Sequence, residues 1–355
     1  MKIKKIIFIS FLLILYQNNL FSNSKKYLKN LIATYLTERD YDRALAVCSN
    51  YIKLYPDDCE GYKIKGMIYE AENIYLKALQ SYIEGINKIK CKKLNYNAGL
   101  LLFKMGKYKK SLYFLFNLFN KNKFIGYSLD KYKIYKTIGK DYFFLNNYHS
   151  AIEYFEKCMQ INFRDVEIYD FLKNAYENLN MINFSHSYFE IGNLLRDDNN
   201  IDSYTFYFDT AVIFLKYKIY SKSIDYFLKA SKKYKNNYIY NLDIGLTYLL
   251  QKKYDDAIYH LRKCIEIYNK KFNIKKSIKR LLKLDRKCAK YHLILSAAYY
   301  LNGDTKKAKK EYLKVKKYNV AVYKIYTFDL ITTPHSKFYK ELPEMWEHRY
   351  KIKKK

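Results

Sequence analysis

The stretch Ile138-Gly139-Lys140-Asp141-Tyr142-Phe143-Phe144-Leu145-Asn146-Asn147-Tyr148-His149-Ser150-Ala151-Ile152-Glu153-Tyr154-Phe155 decides the fold, because its chemistry returns at Ile244-Gly245, Tyr248, Tyr254, Ala257 and Leu261. In each copy a small residue is followed by an aromatic nearly one helical turn on, then by a second small residue twelve positions on and an apolar one four positions after that. Two helices are implied, joined by a short polar turn and crossing where the small residues let them approach.

Working outward, the second small residue recurs as Ala44, Ala78, Ser111, Ala151, Ser185, Ser223, Ala257 and Ala308, at spacings of 34, 33, 40, 34, 38, 34 and 51. Nine positions earlier stand Tyr35, Tyr69, Leu102, Tyr142, Tyr176, Phe214, Tyr248 and Tyr299, and three positions earlier Tyr41, Tyr75, Tyr108, Tyr148, Ile182, Tyr220, Tyr254 and Thr305. With 43 Tyr in 355 residues, about one Tyr is expected by chance among eight places, and six occur in each register. Four positions after the small residue come Cys48, Tyr82, Leu115, Phe155, Phe189, Phe227, Leu261 and Tyr312. The facing small residue is Gly66, Gly99, Gly139, Ala211, Gly245 or Ser296; Ile32 and Lys173 break that rule, and looser crossings are expected there.

These residues resemble the tetratricopeptide repeat: Ile138-Gly139, Tyr142, Ala151 and Phe155, and again Ile244-Gly245, Tyr248, Ala257 and Leu261, meet that family's pattern. The closing Pro survives only as Pro56, and Tyr or Leu replaces the leading Trp. The resemblance implies an all-α fold, a right-handed α-solenoid of about eight stacked helix hairpins whose concave face binds peptides or proteins. The repeats fall at about 25–58, 59–91, 92–125, 132–165, 166–199, 204–237, 238–271 and 289–322, with a basic amphipathic insertion over 272–288 and a C-terminal cap and basic tail over 323–355. Stability is then a sum of nearest-neighbour terms.

Composition agrees. Half the residues are apolar and 19% aromatic, whereas only 10 Gly and 3 Pro are present, which favours long helices and excludes a disordered chain or a β-sandwich. The formal net charge is +32, but only eight of the 66 cations are Arg, the residue on which base and bidentate phosphate recognition lean, so nucleic acid is disfavoured as a partner.

Residues 1–24 have the order of a secretory signal: a cationic start, an apolar run from Ile6 to Tyr16 too short to span a bilayer, and small residues at Ser22-Asn23-Ser24. Cleavage near Ser22 to Ser24 and a periplasmic or envelope location are expected. Cys59 and Cys91 bracket one hairpin, and its antiparallel helices should bring them to the same end, where an oxidising compartment permits a bond. Cys158 and Cys264 share a register with Ala230 and are expected as buried small side chains.

Catalytic patterns are scarce. The six His residues lack metal-ligand spacing, and no nucleophile elbow or phosphate-cradling glycine loop occurs. No enzyme, cofactor or metal is therefore expected. By the resemblance, the concave stripe of the sixth and seventh repeats holds Phe208, Val212, Leu215, Leu242, Leu246 and Leu249, a candidate groove for a partner's amphipathic segment or for the chain's own Tyr323 to Leu330. The fourth repeat offers Lys133, Lys136 and Lys140 opposite Glu167, Asp170 and Glu177 in the fifth, charges able to pair across neighbouring helices. A second basic surface, Lys275, Lys276, Lys279, Arg280 and Lys283, suits an anionic membrane, or is the solvated face of an extended first helix of the last repeat; the alternative to a protein-binding scaffold is a basic envelope-associated protein that binds anionic lipid or a polyanionic polymer. The carboxylate clamp of chaperone-binding relatives is missing, since Lys29, Lys63 and Lys136 are followed one turn on by Ala33, Met67 and Lys140.

Overall fold

In every repeat the chain must reverse within a few residues, and the backbone shows how. A computed structural model describes residues 24–120, 123–124, 131–198, 200–232, 237–272 and 278–318. Five positions before each repeated small residue the backbone takes a positive φ: Arg39, Asn73, Gly106, Asn146, Asn180, Lys218, Lys252 and Gly303, at 56° to 86°. This is the left-handed residue that ends a helix, with the next amide reaching back to an earlier carbonyl. Asp40 N–H donates to Tyr35 O at 2.8 Å, Asn147 to Tyr142 O at 2.9 Å and Lys253 to Tyr248 O at 3.0 Å. The earlier of the two tyrosine registers thus supplies the accepting carbonyl. The later one supplies the first residue of the following helix in every repeat, from Tyr41 to Thr305.

A helix over 24–37 (α1) is followed by α2 (Tyr41–Leu54), α3 (Cys59–Ala71), α4 (Tyr75–Ile89), α5 (Leu94–Lys104), α6 (Tyr108–Phe116), α7 (Lys131–Phe144), α8 (Tyr148–Ile161) and α9 (Val166–Asn178). These lie in a unit that ends at Asn180. The unit from Met181 holds α10 (Ile182–Asp197), α11 (Ser203–Lys216), α12 (Tyr220–Ser231), α13 (Tyr238–Leu250), α14 (Tyr254–Lys271), α15 (Ile278–Leu301) and α16 (Thr305–Tyr318). Among the described residues the only strands are β1 (Phe119–Asn120) and β2 (Lys123–Phe124), an antiparallel pair between α6 and α7. Within each unit helices touch mainly their neighbours in sequence, so the all-α, stacked-hairpin architecture is what the chain adopts.

The crossings explain the small residues. A Cβ added at Gly66 would lie 2.1 Å from the Tyr82 ring, and one at Gly139 would lie 2.7 Å from the Phe155 ring. The side chain four positions after one small residue therefore fills the space left by the other. The first repeat solves the same problem in reverse, with Ile32 large, Cys48 small, and both buried beside Ala44 and Ile68. Its crossing is complementary rather than loose, because volume has been exchanged between the two helices.

Residues 1–23 and 319–355, which include the expected signal and cap, lie outside the described residues. So do Lys275 and Lys276 of the expected basic insertion, while Lys279, Arg280 and Lys283 fall on α15, which runs unbroken from Ile278 through the last repeat's first helix.

Candidate functional site

The apolar stripe expected in the sixth and seventh repeats is buried, and Tyr323 to Leu330, one of its two expected occupants, lies outside the described residues. Phe208, Leu215, Leu242, Leu246 and Leu249 are 4 to 8% exposed and belong to the hydrophobic core of the C-terminal unit, with Val212 half-buried against it. α13 touches α12, α14 and α15 and buries nine of its thirteen residues. The apolar side chains taken from sequence for a partner-facing stripe are covered within the chain. A signal for this was present: α13 carries apolar residues on every side, as a buried helix does.

The charged stripe of the fourth repeat closes by pairing. Lys136 Nζ contacts Asp165 and lies 2.6 Å from Glu167, and Lys140 Nζ lies 2.5 Å from the same glutamate. Asp165 also caps α9 through Glu167 N–H at 3.1 Å and accepts from the Tyr132 hydroxyl. Burial alone would raise the Asp165 pKa, but the hydrogen bonds from Lys136 and Tyr132 outweigh it and hold the carboxyl below its ordinary value. Burial likewise opposes the charge on Lys136, and its two carboxylate partners outweigh that and raise its pKa. Sequence reasoning found Lys136, Lys140 and Glu167 but missed Asp165, whose sign is its place as the residue before α9. Lys133 is exposed.

Beside this network an aromatic ledge stands partly open. Phe144, at the end of α7, is 46% exposed and stacks on Tyr108 of α6 with centroids 5.0 Å apart. Phe143 meets Phe171 of α9 edge to face at 5.1 Å, Phe103 of α5 lies 6.2 Å from Phe144, and the Lys140 ammonium sits 5.2 Å from the Phe171 centroid. Three successive repeats of the N-terminal unit thus present one continuous ring surface with cations at its edge. Tyr108 was named from sequence only for its place in a tyrosine register, and of the other residues only Lys140 was singled out as a candidate site residue.

Also in the N-terminal unit, Cys59 at the start of α3 and Cys91 just after α4 are joined as a disulfide with Cα atoms 6.0 Å apart. Cys48, Cys158, Cys264 and Cys288 are buried thiols outside that disulfide, the second and third in the register of buried Ala230, as expected. No group of His, Cys, Asp and Glu suited to a metal occurs among the described residues, and no helix among them is long and apolar enough to cross a membrane.

Residues 132–165 and 242–275 each match the tetratricopeptide repeat family. The chain is a tetratricopeptide repeat protein. The first matched repeat coincides with the boundaries read from the sequence, and the second begins four residues later than the boundary at 238. No curated protein sequence matches this repeat protein significantly. Among solved structures it is similar to the MamA RS-1 double mutant (16% identity, 50% of this chain and 97% of that one, TM-score 0.44). It is also similar to MamA 41-end from Desulfovibrio magneticus RS-1 (15%, 50% and 97%, TM-score 0.43) and to Pseudomonas aeruginosa pilF (12%, 60% and 93%, TM-score 0.42).

Proposed function

We propose that this repeat protein is a non-enzymatic scaffold that works in an extracytoplasmic compartment and holds a partner protein on the aromatic ledge of its N-terminal unit. The observation that carries the compartment is the Cys59–Cys91 disulfide, since such bonds persist where thiols are not kept reduced. The signal-like order of residues 1–24 points the same way. The ledge is favoured over the sixth and seventh repeats because its rings are reachable. An exposed Phe144 flanked by Tyr108, Phe103 and Phe171 offers aromatic area at low entropic cost, as interface anchors do.

Both halves are testable in the native cell. Trapping free thiols with an alkylating reagent before lysis should leave Cys59 and Cys91 unmodified, and N-terminal sequencing should find a chain beginning between Asn23 and Lys25. Recovery of the reduced chain starting at Met1 defeats the compartment assignment. A photo-crosslinker at position 144 should trap a reproducible protein partner that is absent with the crosslinker at the exposed Lys88 of α4. Identical products from both positions defeat the ledge.

A further inference from the structure

The last described helix departs from six of its seven siblings, the other exception being α10 with the exposed His186. The residue after the repeated small one is apolar in six repeats, Leu45, Leu79, Leu112, Ile152, Ile224 and Ile258, and each is buried or half-buried. In α16 that residue is Lys309, and it is exposed. α16 carries seven Lys against one Glu, whereas α14, the richest in cations of the other second helices, has four against three acids. Lysine-rich composition alone therefore does not account for α16.

The single Glu of α16 is also turned away from the outer face. Glu311 accepts from His292 Nδ1 of α15 at 2.7 Å and from Lys314 at 2.7 Å, and Lys307 is held by Asp304. Lys306, Lys309 and Lys310 are exposed and form no ion pair among the described residues, although Lys306 lies near enough to Asp304 to help lower that carboxyl's pKa. They stand three and four positions apart on one face, where like charges repel. Lys306 also lies in the first turn, the end of a helix that disfavours cations. Together with Lys314 they surround Leu313, which is 51% exposed, on a shallow, open part of the surface.

We propose that the outer face of α16 docks on an anionic bilayer, with Lys306, Lys309 and Lys310 taking phosphate-bearing lipid headgroups and Leu313 entering the boundary between headgroups and acyl chains. The match is one of charge, because a patch carrying one sign of charge on its exposed face attracts anions. Leu313 selects the bilayer over a dissolved polyanion, which gains nothing from an apolar contact. Lysines suit this role because they act as point charges on flexible stems and need no bidentate geometry. The surface is separate from the protein-binding ledge and does not depend on it.

The test uses the full chain with vesicles of phosphatidylcholine, alone or mixed with phosphatidylglycerol, at low ionic strength. Binding should require the anionic lipid. The triple variant Lys306→Gln, Lys309→Gln, Lys310→Gln should weaken it by about 100-fold, roughly fivefold for each lysine near the surface. A control that removes the same charge from exposed positions elsewhere, Lys107→Gln, Lys109→Gln, Lys110→Gln, should change it by less than about twofold. Leu313→Ser should weaken vesicle binding several-fold and leave binding to soluble polyphosphate unchanged. Equal losses in the two triple variants would show a diffuse charge effect and overturn the proposal. So would loss of polyphosphate binding with vesicle binding intact, or displacement from vesicles by inorganic phosphate at matched ionic strength. The thermal midpoint of the α16 triple should hold or rise as repulsion is removed; a fall overturns the argument from repulsion. Replacing the same three residues by Arg should preserve vesicle binding.

Discussion

Asp141 is the residue whose replacement should change the protein most informatively. It lies on α7 and is fully buried, at a register filled elsewhere by the buried Ile68, Leu101, Ala175, Thr247 and Ala298. Its Oδ2 accepts from the Ser111 hydroxyl of α6 at 2.6 Å, and Oδ1 has no partner. Burial is the dominant influence and pushes the carboxyl up to about 8, against a small opposing effect of the Ser111 hydrogen bond. In the unfolded chain the same group titrates near 3.9. Between those values the folded state binds more protons than the unfolded one, so stability falls as pH rises from about 4 to about 8 and levels off above. At about 1.4 kcal/mol per pH unit the ceiling is about 5 kcal/mol, reduced if α6 and α7 open locally before the unit unfolds. Asp141→Asn removes this slope. It keeps an acceptor for Ser111 but introduces an NH₂ where Oδ1 finds no partner, which costs about 1–3 kcal/mol at every pH. The variant should therefore match or trail the parent at pH 5 and exceed it at pH 9. Denaturant unfolding of both chains across that range, with hydrogen exchange in α6 and α7, reads the crossing directly. A stability difference independent of pH would refute a buried, protonated Asp141.

Four further outcomes are expected. Replacing Cys59 and Cys91 by Ser should lower stability by about 3–4 kcal/mol for the loop they close and loosen amide protection in α3 and α4; unchanged unfolding after reduction would show that the bond constrains nothing. Lys252→Gly, at φ 62°, should raise stability by about 1 kcal/mol, because glycine accepts the left-handed turn without steric cost; a lower thermal midpoint would contradict that backbone. Leu246→Glu should destabilise the C-terminal unit by about 3–5 kcal/mol in thermal unfolding followed by circular dichroism, because the residue is core; retained stability would restore an open groove. Ala257→Leu should cost about 1–3 kcal/mol through overpacking at the α13–α14 crossing, and undisturbed protection there would place the crossing elsewhere.

The hairpins were legible because each rests on contacts made eight times over. One Tyr register fixes the start of the second helix and the other the carbonyl of the turn, so a single noisy position such as Ile182 or Thr305 cannot hide the rule. The left-handed turn residue escaped notice because glycine, its usual marker, occupies it only at Gly106 and Gly303, while Asn, Lys and Arg fill the rest. Which face of α13 meets solvent was not legible either. Hairpin periodicity marks where helices cross, and α13, with nine of its thirteen residues buried, carries no polar stripe from which an outward face could be read.

What repetition hides is whatever happens once, and those single events carry the chemistry here. Asp141 is the one charged residue of its register, Lys309 stands where six of the other seven repeats place a buried or half-buried apolar residue, and Cys59 and Cys91 form the disulfide of a single hairpin. Each departure would be costly or pointless if the repeat served only to bury its neighbours: a buried carboxyl must be kept protonated, and a patch of uncompensated lysines repels itself. In a stack of near-equivalent hairpins the siblings act as internal controls. A residue that breaks their agreement without a volume exchange of the kind seen between Ile32 and Cys48 is therefore the place to look for function.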